Sequence, residues 1–81
     1  MYNPFENDPV FTTSVAVSRG RVVHGKLTDD DGRERHGTVG TYYEATRGVQ
    51  YAVFADPGGE FIGPFSDAYE AVRVFVAMGF R

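Results

Sequence analysis

The chain has 81 residues, a hydrophobic fraction of 42% and a formal net charge of −3 at pH 7. A chain of this length has room for one domain, and its lack of cysteine excludes disulfides and thiolate metal sites. Its acidic balance has the wrong sign for a protein that gains affinity by neutralising phosphates, which disfavours direct binding to nucleic acid. No apolar run approaches the roughly 20 residues of a membrane span, so we expect a cytoplasmic protein without membrane contact.

The N-terminal segment contains Pro4 and Pro9, and each proline restricts its own φ and favours extended backbone in the residue before it. We therefore predict an extended arm over residues 1–9 and a single β-meander plus helix domain over residues 10–81. From Val10 to Val17, β-branched residues alternate with a period of two, which is typical of a strand. This segment is predicted to be the first strand of the sheet.

The clearest hairpin signal is the turn at residues 29–32, where three aspartates and a glycine separate two extended segments. A three-residue loop at this turn would place Val23 opposite Val39 and Gly25 opposite Gly37. The other face of this hairpin then carries only polar side chains, and this consistency supports the register because a one-residue slip would bury them. Those side chains are His24, Lys26, Glu34, His36 and Thr38.

The middle of the chain continues this meander. A further strand over residues 49–55 follows a turn at residues 46–48, and the sequence Asp-Pro-Gly-Gly at residues 56–59 predicts a tight turn. The short strand that follows, over residues 60–63, is expected to end at Pro64, because proline has no N–H to donate to a neighbouring strand.

The C-terminal segment has a helix pattern. Asp67 is a good N-cap with Glu70 three residues later, and apolar residues follow at helical spacing. Gly79 suits the left-handed position after a helix, which would bring Phe80 against Phe75. The predicted fold class is therefore α+β, an antiparallel four- to five-stranded meander with one C-terminal helix packed on one face.

No set of residues indicates catalysis. There is no serine or threonine with an obvious base, and cysteine is absent, so we predict a non-enzymatic protein without a cofactor. His24 and His36 lie on one face of one hairpin, which leaves a small metal- or ligand-binding domain as an alternative, although two ligands do not complete a site. Gly25 opposite Gly37 predicts a shallow depression where the helix or a partner's side chain can approach closely.

Residues 51–59 and 63–71 resemble a strand, turn, Gly-Pro-Phe corner and helix found in many small proteins of phages and plasmids. The chain is similar in size, acidity and lack of cysteine to one group of such proteins, the anti-CRISPR inhibitors. This resemblance implies a mobile-element inhibitor of a host defence complex, and it carries no functional residue over by position.

The function predicted from the sequence is a non-enzymatic module that binds another protein or a ribonucleoprotein complex through sheet edge, loops and exposed aromatic residues. More aromatic residues are present than one helix can cover, and the acid clusters have the charge to occupy a basic nucleic-acid channel. A self-associating structural module, such as a homodimer, is the alternative. The candidate partner-binding residues are Asp29, Asp30, Asp31, Tyr42, Tyr43, Phe54, Asp56, Glu60 and Phe61.

Overall fold

The structure, a computed structural model, describes residues 8–81. The fold is one antiparallel sheet, with one helix before its first strand and one helix after its last strand. Four strands lie in the order β1-β2-β3-β4 and the C-terminal helix packs on them, so the predicted α+β class is confirmed. Within the described residues, no helix has the length and apolar character needed to cross a membrane. The elements are α1 (Pro9–Ser18), β1 (Val23–Thr28), β2 (Glu34–Glu44), β3 (Gly48–Asp56), β4 (Glu60–Phe65) and α2 (Ala68–Ala77).

The first hairpin has the predicted register, with Val23 opposite Val39 and Gly25 opposite Gly37. The loop closes because the Asp29 N–H donates to the carbonyl of Arg33 at 2.9 Å and the Gly32 N–H donates to the carbonyl of Asp29 at 3.0 Å. Gly32 has a φ of 79°, a conformation that glycine adopts without steric cost.

The main correction concerns residues 10–17, which form helix α1 and not the predicted strand. Asp8 is extended, with φ −81° and ψ 111°, and its side chain accepts a hydrogen bond from the Val10 N–H at 3.0 Å. Pro9 fits the first turn because its φ is already helical and its missing N–H has no partner there. The cap at Asp8 and Pro9 stabilises a helix although residues 10–17 alternate as in a strand. The described residues consequently form two helices, and the predicted arm over residues 1–9 lies outside the described residues for its first seven positions.

Helix α1 packs beside α2. Ser14 and Val17 are buried, and Val17 joins the same core as the buried residues of α2. The Ser14 hydroxyl donates to the carbonyl of Phe11 at 2.8 Å, so its burial leaves no unpaired polar atom. The helix layer is therefore two helices wide.

Helix α2 begins and ends as the sequence predicts. The Asp67 side chain accepts a hydrogen bond from the Tyr69 N–H at 2.8 Å, and Gly79 follows the helix with a φ of 103°. The chain then turns so that the Phe80 ring stacks on Phe75, with ring centroids 5.2 Å apart and planes at 20°.

The Phe80 ring lies against the glycine pair of the first hairpin and is 1% exposed. A Cβ atom added to Gly37 would lie 2.7 Å from three atoms of the Phe80 ring, and one added to Gly25 would lie 2.7 Å from Cζ of Phe75. The predicted depression therefore exists, and two aromatic side chains of this chain occupy it.

Strand β4 is longer than predicted, because it continues through Pro64 to Phe65. The pairing with β3 is irregular between Val53, which faces Ile62, and Tyr51, which faces Phe65. Two β4 residues, 63 and 64, oppose one β3 residue, so proline is accommodated in a bulge on an edge strand.

Replacement of Gly37 by alanine tests the packing of the Phe80 ring on Gly37. Gly37→Ala is expected to lower the free energy of unfolding by about 1–3 kcal/mol, because the new methyl overlaps a buried ring. Gly40→Ala, on the same strand, is the control. Its methyl would lie 3.4 Å from Val22, an ordinary contact. Equal effects of the two variants in denaturant titrations would contradict the packing described.

Replacement of Asp8 by alanine tests the N-terminal cap of helix α1. We expect Asp8→Ala to lower the free energy of unfolding by about 0.5–2 kcal/mol, since the Val10 N–H loses its cap. Asp30→Ala, in an exposed turn, is expected to change it by less than about 0.5 kcal/mol. If both variants unfold at the wild-type denaturant concentration, residues 8–10 do not form the cap.

Candidate binding surface

Both helices lie on one side of the sheet, because their buried side chains join those of β2 and β3 in a single core. The alternate side chains of the strands point to the opposite side, where no described element covers them. We call this surface the open face. Its side chains, assigned from the register, are Val22, His24, Lys26, Thr28, Glu34, His36, Thr38, Tyr42, Glu44, Gln50, Ala52, Phe54, Asp56 and Phe61.

Three rings meet on the open face: Tyr42, Phe54 and Phe61, which we call the aromatic cluster. Phe61 packs edge-on against both neighbours, with centroid distances of 5.8 Å to Tyr42 and 5.1 Å to Phe54. Such pairs contribute about 0.5–1.5 kcal/mol each beyond their buried area. Phe54 and Phe61 nevertheless remain 47% and 46% exposed, so the cluster is held in place without being covered.

The open face also contains small residues that the sequence did not single out. Gly40 lies opposite Ala52, and Ala52 is only 1% exposed although no described helix lies over it. A Cβ on Gly63 would come within 3.3 Å of the Ala52 side chain, and a Cβ on Gly40 would lie 3.4 Å from Val22. Small residues in the middle of two paired strands are the signal that would have located this part of the open face.

Tyr42 is fixed at its polar end by Glu44. Its hydroxyl donates to Glu44 Oε2 at 3.5 Å, while Glu44 Oε1 accepts from Thr46 at 3.1 Å and pairs with Arg47 at 3.2 Å. Partial burial and the Glu44 carboxylate raise the pKa of the Tyr42 phenol above its usual value of 10.0, and Arg47 opposes this shift. The phenol is therefore a neutral hydrogen-bonding group in the physiological range.

The predicted acidic residues lie together at one end of the sheet, because the β1–β2 turn and the β3–β4 turn are on the same side of an antiparallel meander. We call this region the acidic end. It consists of Asp29, Asp30, Asp31, Asp56 and Glu60.

These five carboxylates differ in their roles. Asp29 Oδ1 accepts hydrogen bonds from the Asp31 and Arg33 N–H groups, at 3.0 and 2.9 Å, so this side chain shapes the turn. Glu60 pairs with Arg35 at 3.2 Å. Across residues 8–81, the side chains of the other three, Asp30, Asp31 and Asp56, make no ion pair and are exposed. They are the carboxylates available to a partner.

Tyr43 does not join the aromatic cluster. Its register partner is Val49, and both stand on the helix side of the sheet, beyond the reach of the helices. Tyr43 is 76% exposed. Of the four aromatic residues predicted to bind a partner, the structure therefore brings together three and places the fourth on the opposite side.

Both edges of the sheet are partly closed. The Lys26 N–H and carbonyl exchange hydrogen bonds with the carbonyl and N–H of Arg81, at 3.1 and 3.0 Å, on the outer side of β1. The β4 edge carries the bulge and Pro64. Edges of this kind resist the addition of another strand, which leaves the open face as the larger accessible surface.

His24 and His36 are diagonal neighbours on the open face, and each has its own partner. The His24 Nδ1 atom lies 3.1 Å from the Thr38 hydroxyl, and His36 Nε2 lies 3.1 Å from Glu34 Oε1. In the part of the chain that the structure describes, no three histidine, cysteine or acidic side chains come together as metal ligands. Among residues 8–81, the two imidazoles therefore have no further ligand group gathered beside them.

No family model matches this chain, and comparisons with curated proteins and with solved structures found no similar one. The resemblance to phage and plasmid proteins therefore stays a prediction.

The Glu44→Gln variant tests the electrostatics at Tyr42. Loss of the carboxylate is expected to lower the Tyr42 pKa towards 10.0, with part of the rise kept because burial is unchanged. Since the folded pKa is raised, the contribution of Tyr42 to stability is complete below pH 10.0 and decreases as the pH rises through that pKa. Tyrosine-labelled NMR titrations measure the pKa directly. An unchanged pKa in Glu44→Gln would show that Glu44 does not act on the phenol.

Proposed function

We propose that this chain is a non-enzymatic, cytoplasmic binding module that recognises a basic surface of another protein with its open face and acidic end. The aromatic cluster is the observation that carries this proposal. Its rings pack against one another, yet about half of Phe54 and Phe61 stays in contact with solvent. Contiguous exposed apolar patches mark sites of protein–protein contact more often than single exposed apolar residues do.

Aromatic residues suit a binding role because they bring a large contact area and lose little rotational freedom when they are buried. The cluster is already ordered by its two edge-on contacts, so binding would cost less conformational entropy than it would from mobile side chains. The partial closure of both sheet edges, by Arg81 at β1 and by the bulge and Pro64 at β4, favours the same surface over the addition of a strand.

Charge favours a basic protein partner over a nucleic acid. Lys26 is the only lysine or arginine among the side chains of the open face, where Glu34, Glu44 and Asp56 are acidic. Asp56 follows Phe54 by two residues on the same face of β3, about 6.6–6.8 Å along the strand. An apolar anchor and an unpaired carboxylate are thus side by side, and arginine or lysine next to an apolar side chain is their complement.

This chemistry also supports the finer proposal that the chain is a mobile-element inhibitor of a host defence complex. The three unpaired carboxylates of the acidic end, on Asp30, Asp31 and Asp56, can occupy positions on such a complex that normally hold the phosphates of a nucleic acid.

Affinity capture with paired variants tests the proposal. Immobilised wild-type protein is incubated with a lysate of the organism that carries the gene, and the recovered proteins are compared quantitatively. The Phe54→Ser/Phe61→Ser double variant is expected to lose the partner. Tyr43→Ser is the matched control, since Tyr43 is more exposed but lies on the other side of the sheet, and it is expected to keep the partner.

Charge is tested in the same assay with the Asp30→Asn/Asp31→Asn/Asp56→Asn variant. We expect weaker capture than wild type at low salt, with a smaller difference as salt screens the interaction. Circular dichroism confirms that each variant is folded. Equal recovery of every protein by wild type, the aromatic variant and Tyr43→Ser would exclude the open face as the binding surface. Sedimentation of the free protein as a dimer that the aromatic variant abolishes would instead identify a second copy as the occupant.

A further inference from the structure

Both histidines of this chain border one depression in the sheet. The depression has a volume of about 340 Å³ and lies over the backbone of Gly25 and Gly37. Two phenylalanine rings pack on the helix side of this glycine pair and do not line the depression, which places it on the open face. The side chains of His24 and His36 point to that face, so the two imidazoles share the same space.

The register makes His24 and His36 diagonal neighbours. His24 lies opposite Thr38, and His36 lies opposite Lys26. Neither pair exchanges backbone hydrogen bonds between β1 and β2, because the backbone groups of Lys26 point outward to Arg81 and those of His24, two residues earlier, have the same direction. Side chains at such positions lie closer together than those of bonded pairs, and the Cα atoms of diagonal neighbours are about 7–8 Å apart. Two imidazoles at this spacing can hold one ion between them, each at about 2.0–2.1 Å.

Each imidazole has one nitrogen bonded and one nitrogen available. His36 Nε2 lies 3.1 Å from Glu34 Oε1, and His24 Nδ1 lies 3.1 Å from the Thr38 hydroxyl. Because a carboxylate only accepts, the neutral imidazole of His36 carries its proton on Nε2 and its lone pair on Nδ1. The Thr38 hydroxyl can accept from His24 Nδ1 in the same way, which leaves the lone pair on Nε2. Histidines that bind metals donate their second N–H to a carboxylate or another acceptor in this manner.

The charges around His36 favour a cation. His36 faces Lys26 on β1 and Asp56 on β3, and it is bonded to Glu34 on its own strand. Two carboxylates therefore lie beside His36 and outweigh one ammonium group. Imidazole nitrogen is a suitable ligand for nickel, copper and zinc, and copper(II) binds most tightly in that series.

We propose that His24 and His36 form a two-imidazole site for one divalent transition-metal ion, with copper(II) as the most tightly bound. His24 Nε2 and His36 Nδ1 are the protein ligands, and water fills the remaining positions because both side chains are exposed. Thr38 and Glu34 orient the two rings. The site goes beyond the proposed function, since neither ligand belongs to the aromatic cluster or to the acidic end.

NMR spectra of the imidazole signals, recorded while the untagged protein is titrated with zinc chloride, test this site. We expect saturable shifts of the His24 and His36 signals that follow one binding curve with one ion per chain. Calorimetric titration is expected to give tighter binding of copper(II) than of zinc. His24→Gln and His36→Gln are each expected to weaken zinc binding by more than about tenfold, the lower bound for loss of an outer hydrogen-bond partner of a metal ligand.

A second pair of variants tests the orientation of His36. Glu34→Gln is expected to weaken zinc binding about tenfold, whereas Glu70→Gln, the same substitution at an exposed position of α2, is expected to leave it unchanged. The Phe54→Ser/Phe61→Ser variant is expected to bind zinc as wild type does, so the result is independent of the protein partner of the open face.

Four results would each overturn the proposal. The first is the absence of saturable shifts in the imidazole signals, and the second is a different binding curve for each imidazole. The third is unchanged affinity after loss of one histidine. The fourth is an equal effect of Glu34→Gln and Glu70→Gln. Zinc binding tighter than copper(II) binding would contradict the assigned metal preference.

Discussion

The contact between Phe80 and the Gly25–Gly37 pair is the constraint on which the rest of this structure depends. Only a pair of residues without Cβ atoms lets two aromatic rings lie directly on the backbone of the first hairpin. The turn at Gly79 places Phe80 there, and the backbone of Arg81 forms hydrogen bonds with both backbone groups of Lys26. One short segment therefore joins the end of α2 to the first strand, which is distant in sequence.

This contact also decides which side of the sheet is left bare. With Phe75 and Phe80 seated on the hairpin, α2 and then α1 must lie on the same side, and the core forms there. The opposite side keeps its polar hairpin residues and gains three rings from β2, β3 and β4. Those rings share a face only because the register of the meander aligns their strands, so the candidate binding surface follows from the packing on the other side.

Much of this arrangement could be predicted from the sequence where local chemistry and long-range packing agree. The aspartate turn sets the register of the first hairpin, and the Asp67 cap and Gly79 define α2. Helix α1 was missed because alternating β-branched residues gave a clear strand pattern, while the helix is specified by the cap at Asp8 and Pro9. Strand β4 was predicted too short because a bulge lets Pro64 remain in the sheet without donating a hydrogen bond.

The candidate site was predicted in its residue types more than in its geometry. Exposed aromatic residues and acid clusters are visible in the sequence, and register alone places Tyr42 and Phe54 on one face. Tyr43 was predicted to bind the partner with them, because the exposure of two consecutive tyrosines cannot be compared without knowing where the helices end. The pairing of Gly40 with Ala52 in the middle of the open face was not recognised, although small residues in two paired strands are a signal for such a position.

The most direct measurement of the central contact is a set of proton–proton NOEs in the wild-type protein. Cross-peaks are expected between the Gly37 Hα protons and the Phe80 ring and between the Gly25 Hα protons and the Phe75 ring, with at least one glycine Hα shifted upfield by the adjacent ring current. Glycine Hα signals at unshifted positions with no aromatic cross-peaks would contradict the seating of Phe80, and with it the assignment of the covered and open faces.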